Sequence, residues 1–172
     1  MTAGRLSAQE HDRLARAFAS IASDAGVVVM EVYNSDFETR QKADRSPVSD
    51  ADERAEEIIL ERLAQLLPGV PVLAEEQVAR IGITGMAGTF LLVDPVDGTR
   101  EFIQRKGDFT VNIALIEGGT ATAGCVFAPA RKELYYGGSR AFRASGFAAG
   151  EAVEPDRASA AVSHSIVGPQ RG

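Results

Sequence analysis

Residues 110–127 read TVNIALIEGGTATAGCVF. Two apolar, β-branched-rich runs, residues 110–116 (TVNIALI) and 120–127 (TATAGCVF), flank the pair Gly118-Gly119. A Gly-Gly pair between such runs predicts a β-hairpin, because tight hairpin turns need positive φ at their central residues. Outward from this hairpin the same period continues. Residues 133–136 (ELYY) follow it as a further strand, and residues 89–93 (TFLLV) and 70–74 (VPVLA) precede it. The N-terminal third has a different period. Ser7 with Glu10 three residues later forms a capping-box signal, and Leu14, Phe18, Ile21, Ala22, Ala25 and Val29 recur at helical spacing. A second helix is predicted to open at Ser49, after Ser46-Pro47, with Asp52 at its fourth position. Ala55, Ile58, Ile59, Leu63 and Leu66 form its buried face, and Pro68-Gly69 ends it. Helices first and a mostly antiparallel sheet later predict an α+β layered fold.

Composition narrows the function classes. The chain has 172 residues, 45% hydrophobic and 24% charged, which suits one well-buried domain. Its apolar runs, such as residues 26–30 and 90–93, fall far short of the roughly 18 to 20 residues of a membrane span. Residues 1–5 show no positive segment leading into an apolar core, so no signal peptide is expected. A single cysteine, Cys125, excludes an internal disulfide framework and agrees with a reducing cytoplasm. Net charge is −6, without a basic tract, which argues against a nucleic-acid partner. The negative charge gathers at residues 50–57, at Glu75-Glu76 and at residues 94–97. Both histidines, His11 and His164, lie in terminal regions without a matching cluster, so neither a zinc site nor a histidine base is expected.

The candidate chemistry lies in residues 91–102, LLVDPVDGTREF. Asp94 and Asp97 follow an apolar strand, with Pro95 restricting the chain and Gly98 relieving it. A turn here can aim both carboxylates at one point, together with the Val96 carbonyl. Such hard oxygen donors suit Mg²⁺. Glu75, at the end of a neighbouring strand, adds a third carboxylate, and the Gly98 and Thr99 amides, at a helix start, can face a phosphate. Asp-Pro-x-Asp-Gly is equally a good ordinary turn, and Cys125 and Ser49 read as a small strand residue and a helix cap. No base accompanies either as a covalent nucleophile.

Three motifs occur in order: residues 42–52 (KADRSPVSDAD), Glu75-Glu76, and residues 94–99 (DPVDGT). This order resembles the inositol monophosphatase superfamily. The continuation at residues 100–115 (REFIQRKGDFTVNIAL) is similar to its bacterial 3′(2′),5′-bisphosphate nucleotidases. The resemblance covers about residues 8–143. It implies the N-terminal half of a sugar-phosphatase αβαβα fold. It implies one Mg²⁺ on Glu75, Asp94 and the Val96 carbonyl, and a second shared by Asp94 and Asp97. Asp52 and Thr99 would orient and activate the attacking water, while the Gly98 and Thr99 amides hold the phosphate. Glu76 would stand behind the ligands, and Lys42 and Asp44 lie in a loop near the site.

The implied reaction is direct hydrolysis of a small phosphorylated substrate, foremost 3′-phosphoadenosine 5′-phosphate to AMP and phosphate. An inositol or sugar phosphate is the alternative, and an inactive metal-binding fragment is the third reading. The family's later Trp-Asp-x-Ala-type aspartate is not matched: the chain contains no tryptophan, and Asp108 and Asp156 stand in other contexts. A metal and phosphate-binding domain is therefore expected over residues 1–143. Residues 144–172, with one strand at 160–162, are expected to be a truncated or divergent start of a second domain. An open interdomain face of that kind would favour association between copies. Cytoplasmic location is expected, with the peripheral inner-membrane association of some relatives.

Overall fold

The computed structural model describes residues 6–35, 47–74 and 88–153. Two helices, α1 (Ala8–Tyr33) and α2 (Pro47–Leu66), pack side by side on one face of a six-stranded sheet. The strands are β1 (Val72–Ala74), β2 (Thr89–Asp97), β3 (Thr110–Glu117), β4 (Thr120–Ala128), β5 (Glu133–Gly137) and β6 (Ala141–Ser145). A short helix, α3 (Thr99–Ile103), lies between β2 and β3. Spatial order equals sequence order; β1 pairs parallel with β2, and every later pair is antiparallel. The expected α+β architecture with a mostly antiparallel sheet is what forms. Among the described residues no helix is long and apolar enough to cross a membrane.

The capping box at α1 is complete. Ser7 Oγ accepts from the Glu10 amide at 3.3 Å, and the Ser7 amide donates to Glu10 Oε2 at 2.8 Å. The predicted stripe from Leu14 to Val29 is buried throughout. It meets the face of the sheet carrying Leu91, Ile113, Leu115, Phe127 and Leu134, all of which are nearly inaccessible. Gly26 sits inside α1 although glycine weakens a helix. The reason is local: a Cβ at residue 26 would stand 2.6 Å from Phe127 Cε1. α2 starts two residues before the expected Ser49, at Pro47, since proline suits the first helical position. Gly118 and Gly119 have φ of 57° and 79°, as the predicted tight hairpin requires.

β6 has no counterpart among the strands expected from sequence, because its alternation is short and weak: Phe142 and Ala144 are only half-buried against the core, and the other three residues are exposed. Packing also continues beyond residue 143. Phe147 meets Phe127 edge to face at 5.7 Å. Buried Ser23 donates to the Glu151 carbonyl and accepts from the Gly150 amide, both at 3.0 Å. The strand expected at 160–162 lies outside the described residues. Cys125 is a buried strand residue whose thiol is pushed up to about 12 by burial, against one hydrogen bond with the Ile113 backbone. That excludes a thiolate nucleophile near neutral pH.

The start of α1 is tied to the sheet through a group 106 residues away. His11 Nε2 lies 2.6 Å from Glu117 Oε2, where the side chains are 12% and 8% exposed. The Leu6 amide donates to Oε1 and Thr122 Oγ1 to Oε2. Thr122 is the extra residue of a bulge between Ala121 and Ala123 of β4. Burial works to raise the Glu117 pKa. The hydrogen bonds from Thr122, His11 and Leu6 outweigh it and hold the carboxyl below its ordinary 4.5. A carboxyl depressed in the folded state stabilises the fold above its unfolded pKa and loses that contribution as pH falls through the folded value. Glu117→Gln is therefore expected to melt at a lower temperature at pH 7. Its Tm should also fall less steeply than the parent's between about pH 5 and about pH 3. Parallel Tm–pH curves from thermal circular dichroism would contradict this role.

Candidate metal and phosphate site

In a regular strand, residues three apart point to opposite faces of the sheet. Asp94 and Asp97 are three apart, so a plain strand would separate them. β2 avoids this. Asp94 stands opposite Asn112 and Asp97 opposite Thr110, so three steps along β2 match two along β3. The extra residue is a β-bulge at Pro95-Val96, and it returns Asp97 to the face that carries Asp94 and Asn112. Pro95 has no amide to give the ladder, so the break falls where a donor is missing. The Val96 side chain is 5% exposed and belongs to the helix-facing core, which leaves only its backbone to the site. The expected turn after Val93 is thus a bulged extension of the strand through Asp97.

Directly after the bulge the chain turns into α3. Gly98, the N-cap, has φ 94° and ψ 43°, and no side chain caps the helix. A Cβ there would lie 2.6 Å from the Asp108 carbonyl oxygen and 3.1 Å from Phe109 Cα. Glycine is therefore required twice, for the backbone conformation and for the close approach. With no capping side chain, nothing on residue 98 competes for the first-turn amides of α3. Thr99 opens the helix in an exposed position.

An aromatic cluster holds α3 in place. Phe102 and Phe109 are fully buried, and their centroids lie 4.9 Å apart and 5.3 and 4.8 Å from Tyr33 at the end of α1. Arg105 donates to the Tyr33 carbonyl and, at 2.5 Å, to the Ser35 carbonyl. Behind Gly98, Arg131 pairs with Asp108. Local sequence, a buried Phe on each side of the turn, thus fixes the segment that follows the two aspartates.

The other expected residues are distributed as follows. Asp52 is half-buried on α2, which lies against β2 and α3. β1 is in register so that Ala74, its last residue, stands beside Val93, one residue short of Asp94. Glu75, Glu76, Lys42 and Asp44 lie outside the described residues. Among the described residues no three acidic, imidazole or thiolate side chains come together as a metal cage. What the described part offers is a set of hard oxygens: two carboxylates on one face and a backbone segment between them. That set fits a hard divalent cation such as Mg²⁺. Sequence reasoning missed Asn112, whose Nδ2 donates to Asp97 Oδ2 at 3.3 Å. Its signal was a polar residue in the middle of the apolar run TVNIALI.

Known proteins share the sequence and fold of this chain. The chain is 47% identical over 118 residues to the 3′(2′),5′-bisphosphate nucleotidase CysQ of Salmonella typhimurium, covering 67% of this chain and 48% of that protein. The CysQ of Escherichia coli is 44% identical over 117 residues, with the same coverage. Among solved structures, CysQ of Bacteroides thetaiotaomicron superposes with a TM-score of 0.66 at 37% identity, over 83% of this chain and 53% of that one. Mycobacterium tuberculosis SuhB gives 0.62 at 27% identity, over 78% and 48%. The chain spans about half the length of the curated relatives it matches. The description "Inositol monophosphatase family" matches residues 10–166, and the chain belongs to that family.

Proposed function

We propose that this chain carries the cation and phosphate-binding half of a Mg²⁺-dependent phosphomonoesterase of the 3′(2′),5′-bisphosphate nucleotidase type. The substrate we assign is 3′-phosphoadenosine 5′-phosphate, split to AMP and phosphate, which would suit clearance of a by-product of sulfate assimilation in the cytoplasm. The observation that carries the reading is the β2 bulge. It gathers Asp94 and Asp97 on one face immediately before the glycine-opened turn into α3. The similarity to the two CysQ nucleotidases supports the choice of substrate.

In this reading Asp94, Asp97, the Val96 carbonyl and Glu75 hold the cations. When bound, these ions supply electrophilic stabilisation of the charge on the phosphoryl oxygens. The Gly98 and Thr99 amides hold the phosphate under attack, at the start of α3. Asp52 and Thr99 orient the attacking water and take its proton. Its oxygen bonds to phosphorus, the bond from phosphorus to the 3′ oxygen breaks, and that oxygen takes up a proton from solvent to leave as the 3′ hydroxyl of AMP, while the proton held by Asp52 returns to solvent. No covalent enzyme intermediate is needed, in keeping with the inert Cys125.

The test is phosphate release from 3′-phosphoadenosine 5′-phosphate, with and without Mg²⁺, by the 172-residue chain and by Asp94→Asn. Mg²⁺-dependent release that disappears in Asp94→Asn is the expected result. A folded chain that releases nothing would overturn intrinsic activity. Faster release from inositol 1-phosphate than from the nucleotide would move the assignment to the alternative substrate class, which the fold shared with inositol monophosphatases makes the natural competitor.

A further inference from the structure

Asn112 occupies the middle of β3, directly opposite Asp94 and on the face that carries both aspartates. Its Nδ2 donates to Asp97 Oδ2 at 3.3 Å. Its Oδ1 is shut off from solvent and, among the described residues, accepts no hydrogen bond. The amide cannot be turned round to escape this, because Oδ1 would then face the Asp97 carboxylate, an acceptor against an acceptor. A buried acceptor without a donor costs about 1–3 kcal/mol, so such an atom beside two candidate cation-binding carboxylates calls for an explanation. Among the described residues, protein groups do not supply a donor. A side chain that carries such a cost in the middle of an apolar strand is accounted for by its other end, the hydrogen bond to Asp97.

We propose that Asn112 is a positioning residue of the cation site. Its Nδ2 sets the Asp97 carboxylate in the orientation that a bound divalent cation would meet. Residues behind metal ligands that orient them in this way commonly change cation affinity by about 10- to 100-fold when removed. The bulge explains why Asn112 can reach Asp97 while standing opposite Asp94. It brings Asp97 back to the Asn112 face within a single residue pair of Asp94.

The inference rests on the metal-site reading above, and cation binding separates the two without recourse to turnover. Mn²⁺ affinity is measured by electron paramagnetic resonance on the 172-residue chain, Asn112→Ala and Asn112→Leu, with Tm recorded in EDTA. Asn112→Ala is expected to bind Mn²⁺ about 10- to 100-fold more weakly. Its Tm in EDTA should stay within about 3 °C of the parent's, because the variant also removes a buried orphan acceptor. Asn112→Leu keeps the bulk of the side chain and should show the same loss of affinity if the alanine variant fails to fold. Undiminished Mn²⁺ affinity in either folded variant would overturn the Asn112 role while leaving the phosphatase reading intact. A fall in Tm with unchanged affinity would make Asn112 a structural residue only and overturn the role equally. A parent chain that binds no Mn²⁺ would overturn both.

Discussion

Gly98→Ala is expected to lower the Tm of the chain by about 5–15 °C and to cut phosphate release by about 100-fold or more. Two costs combine. Residue 98 has φ 94°, which an L-residue adopts only at about 1–2 kcal/mol. The added Cβ would also lie 2.6 Å from the Asp108 carbonyl oxygen, a backbone atom in a loop braced by the Arg131–Asp108 pair. Backbone in such a place yields less readily than the end of a flexible side chain, so the turn between β2 and α3 must move. That turn follows Asp97 directly and carries the Gly98 and Thr99 amides. A displacement approaching 1 Å there suffices for a loss of two orders of magnitude in a reaction that depends on alignment. Gly69→Ala separates the two costs. Gly69 has φ 82°, but a Cβ there would meet nothing within 4 Å, so it carries the conformational cost alone. Thermal unfolding and phosphate release for both variants decide the matter. If Gly98→Ala behaves like Gly69→Ala, the close approach to Asp108 constrains nothing.

The residues that made the fold legible were those whose signals are local. Ser7 and Glu10 announce the start of α1 within four positions, and the box they form is intact. Gly118-Gly119 announces the β3–β4 hairpin because positive φ is needed at both positions. The site was legible in composition but not in geometry. Asp-Pro-x-Asp-Gly is a good turn sequence, and only pairing with β3 converts it into a bulged strand. That pairing joins Asp94 to Asn112, a relation no local window contains. The same holds for His11, which reads as an isolated histidine until Glu117 arrives from the far end of β3. β6 stayed hidden for another reason. At this sheet edge only Phe142 and Ala144 turn toward the core, and both are just half-buried, so burial patterns the sequence weakly and pairing with β5 fixes the strand. Each of these failures marks a place where tertiary hydrogen bonding, not periodicity, decides the conformation.

The second large effect concerns the joint between helix and sheet. Phe127→Ala is expected to cost about 3–5 kcal/mol, a large part of the roughly 5–15 kcal/mol that stabilises a typical domain. Tm should fall by about 10 °C or more. Phe127 is fully buried on β4, beneath α1 at Gly26, and its ring meets Phe147 from the segment after β6. Truncation would empty a space bordered by three separate parts of the chain, and α1 cannot descend into it while Glu117 and the Asp12 contacts with Ser139 and Arg140 hold its first turn. Complementary size at residue 26 provides a stricter test than the single variant. Gly26→Ala in the parent places a methyl 2.6 Å from the Phe127 ring and should destabilise. In the Phe127→Ala background the same methyl enters the vacated space and adds helix propensity, so it should stabilise. A reversal of sign between the two backgrounds, read as Tm by calorimetry, is the expected result. If Gly26→Ala has the same effect in both, the ring is not what excludes a side chain from residue 26, and the glycine in the middle of α1 needs another cause.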